Sequence, residues 1–399
     1  MELRVRLTLT ALLTLAAGYC EGQTPQPTAC QREAALALER QGDNAAAETA
    51  WKQCLESNPS NPEAYAQMGL LEARQEHYKE AVPLYRRALE LGPEIPSVKL
   101  NLGLALFKSG ELKQSIEIFT ELLNSQPPDS RQTMKLKTLL GMAHYGLGEY
   151  ADAIPYLKDA AAADEQNLAL KLVLAHSCLR VRQNQCVLDV YHEILTLDPN
   201  SAEAYMLAGE ALDAMKDRAG AIQEFRAAIR ANPKEPGVHL NLGYVLWAQS
   251  QFREAEPEFQ AELDNSPNDA QAMTYLADAE VHLNQPEAAR MLLENAAKIE
   301  PGIALIHLDL GIVYSDAGRR DDAVRELKLA ETLDPDNQNV HWRLGHIYQI
   351  EGNKDEAKAE FDKLHSLKNA VEDALGKKLI EAETKDKPAA EAPAAPNVK

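Results

Sequence analysis

The chain has 399 residues, with 61 acidic against 41 basic side chains and a formal net charge of −20 at pH 7. So large an anionic excess argues against sequence-independent nucleic-acid binding, which needs a cationic surface, and leaves a solvated acidic exterior or a cationic partner. A chain of this length would ordinarily form two or three domains, unless an internal repeat lets one continuous core run through it.

Residues 1–22 read as a secretory signal peptide. Arg4 and Arg6 precede an apolar run from Leu7 to Ala17 that is too short for a stable membrane anchor, and small residues follow. Cleavage is expected after Gly18 or Gly22, with Gly22 favoured, which leaves Gln23 as the new N-terminus. Tyr19 stands where a lipoprotein signal has a small residue, so Cys20 is not read as a lipidation site. The mature chain is expected to be exported, periplasmic or extracellular, and to hold no integral membrane segment.

From Thr28 onward a 34-residue pattern recurs, clearest in Pro62–Ile95. With Pro62 as slot one, Tyr65 fills slot four, Met68 seven, Gly69 eight, Tyr78 seventeen, Ala81 twenty, Tyr85 twenty-four, Ala88 twenty-seven and Pro93 thirty-two. Slots four, seven, eight and eleven share one face of a first helix, and slots seventeen, twenty, twenty-four and twenty-seven share one face of a second. Small residues at slots eight and twenty let the two helices approach, and large ones at seven and twenty-four fill the space between them. One such hairpin cannot bury its own apolar face, so neighbours must stack on it.

Ten repeats are read, starting at Thr28, Pro62, Pro96, Met134, Leu168, Ala202, Pro236, Ala270, Ala304 and Gln338. The period stretches by four residues around Pro128 to Thr133, and the fifth repeat departs most, with Ala175 at slot eight, Arg182 at fifteen and Val187 at twenty. Pro83, Pro155 and Pro257 share slot twenty-two, read as the opening turn of the second helix, where a proline removes no intrahelical bond. After the tenth repeat, Leu367, Val371, Leu375 and Leu379 keep helical spacing, which predicts a capping helix over 366–384 and a disordered Pro- and Ala-rich tail over 385–399.

This register resembles the tetratricopeptide pattern, W-x2-L-G-x2-Y, then A-x3-F, then P, over residues 28–371. The resemblance implies an all-α fold, a right-handed superhelical solenoid of about ten helix-turn-helix repeats, and a concave groove for a protein or peptide partner. In the family, slots two, five, six, nine, twelve and thirteen face that groove. The chaperone-binding carboxylate clamp is absent: around Asn101 its positions hold Ala66, Leu70, Lys135 and Leu139, and around Asn241 they hold Met206, Glu210, Gln271 and Tyr275. An asparagine ladder at slot six is missing too, since only Asn101 and Asn241 supply it. The groove wall then carries Leu100, Leu104 and Phe107, Met142 and Tyr145, Leu172 and Leu179, Met206 and Leu207, and Tyr244 and Trp247, a nearly continuous apolar stripe. Phe107, Tyr145, Tyr244 and Trp247 are expected to lie exposed, with Asn101 and Asn241 beside them to hold a peptide backbone. The residues expected to bind the partner are Asn101, Leu104, Phe107, Met142, Tyr145, Asn241, Tyr244 and Trp247.

No catalytic motif or metal-ligand spacing appears, and no cofactor is expected. His239, His307 and His341 share slot four, which packs between helices, and the carboxylates show no distinguishable pair. Facing slots in an antiparallel hairpin have a constant sum, and Cys30 with Cys54 (slots three and twenty-seven) and Cys178 with Cys186 (eleven and nineteen) give the same one, so two disulfides are expected. The reading is a non-enzymatic exported scaffold or adaptor. Its alternatives are an accessory subunit of an envelope polysaccharide or cofactor assembly complex, or a carrier of small ligands.

Overall fold

A computed structural model describes residues 31–92, 96–125, 127 and 130–385, with side chains of the last helix described as far as Asn369. The expected leader, Cys30 and all but the first residue of the expected tail lie outside the described residues. Among those described, the secondary structure is twenty helices and no strand. The chain divides into two compact units, Met1–Glu224 and Phe225–Lys399.

The first unit holds α1 (Arg32–Gln41), α2 (Asn44–Ser57), α3 (Pro62–Arg74), α4 (Tyr78–Leu91), α5 (Pro96–Ser109), α6 (Leu112–Asn124), α7 (Arg131–Leu147), α8 (Tyr150–Ala163), α9 (Leu168–Arg180), α10 (Asn184–Leu197) and α11 (Ala202–Ala214). The boundary falls within α12 (Arg218–Ala231). The second unit continues with α13 (Val238–Trp247), α14 (Phe252–Asn265), α15 (Ala270–His282), α16 (Pro286–Ile299), α17 (Ala304–Asp316), α18 (Arg320–Leu333), α19 (Gln338–Glu351) and α20 (Lys354–Lys385). Odd-numbered helices are the first helices of the repeats and even-numbered ones the second. Within each unit a helix packs on its hairpin partner and on the next hairpin.

Capping residues set the starts. Asn61, Ser201 and Asp269 each stand one residue before slot one, and their side chains accept from the backbone N–H of Ala64, Ala204 and Ala272. The turn inside each hairpin is set by slot fifteen, which is left-handed in all ten repeats. Gly42, Gly110, Gly148, Gly318 and Gly352 fill it in five, and Glu76, Arg182, Lys216, Ser250 and Asn284 take the same positive φ in the others.

The slot-twenty-two prolines correct the sequence reading. Each is the sixth residue of its helix, beyond the opening turn, so an i→i−4 hydrogen bond is lost. The carbonyls that lose this donor belong to Lys79, Ala151 and Arg253, all exposed residues, so the loss falls on the solvent side of the helix. The expected cap at 366–384 is not a separate helix but the continuation of α20, a single run of 32 residues. Asn369 stands at slot thirty-two, where most repeats end in proline, so nothing stops the helix there.

The core follows the small-against-large register. A Cβ on Gly103 would stand 2.6 Å from the Phe119 ring, and one on Gly243 would stand 2.6 Å from the Phe259 ring. Both rings are fully buried. Glycine at slot eight therefore lets the slot twenty-four ring lie flat on the first helix's backbone. In the fifth repeat the site is filled differently, by Ala175 against Tyr191, whose hydroxyl donates to Glu224 at 2.7 Å.

The slot-four histidines are structural struts. Nδ1 of His239, His307 and His341 meets Glu258, Glu326 and Glu360 on the second helix at 2.7, 2.9 and 2.7 Å. Nε2–H of His307 and His341 donates to the carbonyls of Pro301 and Pro335 in the preceding loop, at 2.9 and 2.8 Å. One ring thus ties both helices of a hairpin to the previous repeat. Cys178 on α9 and Cys186 on α10 are bonded to one another, with Cα atoms 5.9 Å apart. Cys54 is buried, and its expected pairing involves Cys30, outside the described residues.

Candidate functional site

The first-helix faces turned away from the hairpin partners carry the residues singled out in the sequence. In the first unit Leu100, Leu104 and Phe107 are half-buried and pack against Phe119, Leu136, Leu139 and Leu140. Met142, Tyr145, Leu172 and Leu179 pack in the same partial way against the core of the fourth to sixth repeats, and Asn101 is half-buried beside Leu102. Two expectations are corrected here. Phe107 and Tyr145 are half-buried instead of exposed, because Phe107 packs with Phe119 and the leucines of α7 and Tyr145 meets the Tyr150 ring edge-on at 5.6 Å. Met206 and Leu207 are buried and belong to the core, because α11, which carries them, packs against α9 and α10. The apolar wall of the first unit therefore stops at the fifth repeat, where His176 Nε2 pairs with Glu203 of the sixth at 2.8 Å.

In the second unit Tyr244 is 38% exposed, while Asn241 and Trp247 are half-buried, so Trp247 also departs from the expectation of exposure. The reason is a ring the sequence reading did not enlist. Tyr275 of α15 lies with its centroid 5.4 Å from Tyr244 and 5.0 Å from Trp247, and Tyr244 and Trp247 stack at 5.9 Å. Tyr275 in turn rests on Phe259 at 5.7 Å, which fixes the trio on the core.

Carboxylates line the same face. The Trp247 indole N–H donates to the Asp278 carboxylate, which is 7% exposed. His282 stands 3.8 Å from the same oxygen. One repeat further, Asp309 on α17 is 1% exposed and its Oδ2 has no hydrogen-bond partner. Burial, then the charge of Asp278, pushes the Asp309 carboxyl well above the usual carboxylate range, and Arg343 of α19 opposes this. Slots nine and six of consecutive repeats thus place one carboxyl group under the charge of another, where the sequence alone shows no distinguishable pair. The signal was the register itself: Asn241, Tyr275, Asp309 and Arg343 all occupy slot six. Trp342 follows, 44% exposed, with Arg343 over its ring at 5.2 Å and His346 at 4.3 Å.

Two other clusters have local explanations. Glu331, His341 and Glu360 lie close together, but the Lys328 ammonium sits between the two glutamates at 2.8 and 2.9 Å and Lys363 pairs with Glu331, so lysine charges already answer the carboxylates. His144, whose Nδ1 pairs with Glu149 at 2.8 Å, and Asp152 line a surface depression with Lys137, Tyr156 and Asp159, where Lys137 pairs with Asp159 at 2.6 Å. Among the described residues no helix is long and apolar enough to cross a membrane.

Comparison with known proteins agrees with the register. The tetratricopeptide repeat matches residues 32–93, 66–130, 138–181, 188–236 and 240–302, and related forms of it match 304–328 and 339–370. The BBSome complex member BBS4 of Bos taurus is 27% identical over 169 residues, 42% of this chain and 31% of that protein. Protein O-mannosyl-transferase TMTC1 of Homo sapiens is 23% identical over 175 residues, 43% of this chain and 20% of that protein. The chain thus spans less than a third of the length of either relative. The solved C-terminal part of a TPR repeat-containing protein from Cytophaga hutchinsonii is 18% identical, with a TM-score of 0.48, over 61% of this chain and 99% of that one. With paired helices in a 34-residue register and the repeat matched over more than half its length, the chain belongs to the tetratricopeptide repeat family, an all-α solenoid fold that serves protein–protein interaction.

Proposed function

We propose that this protein is an exported, non-enzymatic scaffold or adaptor that holds an extended segment of another envelope protein against its first-helix face. The observation that supports this most directly is the Tyr244, Trp247 and Tyr275 trio, three large rings gathered on a helix face with Tyr244 still open to solvent. Rings held rigid on a core and left partly exposed lose little entropy on binding, which is why such residues anchor interfaces. Phe107 and Tyr145 supply smaller anchors on the first unit.

Tyr244→Ala is the clean test, since this ring is the most exposed of the set. The helical circular dichroism and melting temperature should stay close to wild type, while co-purification of the partner from the cell envelope falls at least tenfold. Phe107→Ala should weaken the partner complex too, with a loss of about 1–2 kcal/mol in stability because the ring is half-buried on the core. Unchanged co-purification in both variants would overturn the assignment. Export is tested separately, by mass spectrometry of the protein from cell fractions: a mature N-terminus at Gln23 outside the cytosol is expected, and a full-length cytosolic chain would refute it.

A further inference from the structure

The face that carries the aromatic trio also carries two carboxyl groups at its deepest points. Asp278 lies at the edge of Trp247, held by the indole N–H, and Asp309 lies one repeat further with an unpartnered oxygen at 1% exposure. A carboxyl oxygen buried without a donor is costly to keep, and a fold retains one where something else supplies the donor. Beyond the Trp247 N–H on Asp278, the protein offers only weak answers. His282 stands 3.8 Å from Asp278, and Arg343 lies over the Trp342 ring, forming no ion pair with Asp309. Ring faces are electron-rich, so three of them beside a carboxylate make a surface suited to a cation with an apolar stem. The chain's net charge of −20 points the same way.

We propose that the second unit recognises a basic side chain, arginine or lysine, of an extended partner segment, with the stem against Tyr244, Trp247 and Tyr275 and the charge directed to Asp278 and Asp309. This inference rests on the reading of the first-helix face as a peptide site and adds the chemistry of the residue selected. It is the reverse of a carboxylate clamp: the partner brings the positive charge.

The test is to pan a random nonapeptide display library against the full mature protein and compare three targets. Wild type should enrich peptides with arginine or lysine at one aligned position. Asp278→Asn keeps an acceptor for the Trp247 indole and the side-chain shape, and it should abolish that positional enrichment; for a selected peptide, replacing the basic residue by glutamine should weaken wild-type binding at least tenfold but Asp278→Asn binding less than threefold. Tyr244→Ala should lose binding of the selected peptides altogether. Selected peptides that depend on Tyr244 yet have no basic position, or an acidic one aimed at Arg343, would overturn the cation assignment and leave the peptide face standing. Peptides indifferent to Tyr244, or no enrichment at all, would overturn both. An unfolded Asp278→Asn is detected by circular dichroism, and Asp278→Glu, which keeps the charge, then decides: it must retain the basic preference.

Discussion

Glu280 is 8% exposed on α15 and its Oε2 has no hydrogen-bond partner. Burial, then the charge of Glu256, pushes its carboxyl up to about 7 from an ordinary value of 4.5. The folded state therefore holds this proton where the unfolded chain has released it, so its contribution is most favourable below pH 4.5 and is lost as pH rises through 7. Glu280→Gln removes the titration and should stabilise the second unit at pH 8 by about 2 kcal/mol, with little change at pH 4.5. Urea unfolding at the two pH values checks this, and equal effects at both would refute it. Asp309 follows the same sign, so Asp309→Asn, neutral and of the same shape, should cost nothing at pH 8, whereas Asp309→Ala should be destabilising through the cavity it leaves.

Two register positions govern the hairpins. Slot fifteen is left-handed whatever residue occupies it, and Lys216 holds φ of 69° where Gly110 holds 88°. A side chain with a Cβ is strained there, so Lys216→Gly should raise stability by about 1 kcal/mol and Gly110→Lys should lower it by a similar amount. Calorimetry of the two variants checks the reciprocity. Slot eight is a matter of space instead of conformation. Gly243→Ala drives a methyl into the Phe259 ring, on which Tyr275 stacks, and should cost about 1–3 kcal/mol. Because Tyr275 shares the aromatic trio, the same change should also disturb the binding face, which a helix-surface substitution would not. The slot-twenty-two prolines show how the pattern absorbs a broken bond: the lost donor faces an exposed carbonyl, so the helix continues.

Across the whole molecule the two units present different chemistry on equivalent faces. The first is aliphatic with single rings, closed at the fifth repeat by the His176–Glu203 pair; the second gathers rings and carboxyl groups. A partner that used both would need an apolar stretch and a basic residue. Raising salt should therefore weaken binding of a basic peptide to the second unit while leaving an apolar peptide on the first almost unaffected. Isothermal titration at 50 and 500 mM salt separates the two, and equal salt sensitivity would contradict the division.

The 34-residue period determined the fold unaided, because helical spacing of apolar slots and the small residues at slots eight and twenty leave one way for paired helices to bury their faces. Read onto that register, the family resemblance marked the groove positions. It placed Asn101, Leu104, Phe107, Met142, Tyr145, Asn241, Tyr244 and Trp247 on first helices, yet it treated each repeat as isolated. What tertiary structure decided is everything that depends on the next repeat. Stacking buries Met206 and Leu207, packs Phe107 onto its neighbour, draws Tyr275 against Tyr244 and Trp247, and brings Asp309 under the charge of Asp278. Exposure and charge coupling arise between hairpins, so a pattern that repeats within one hairpin does not contain them.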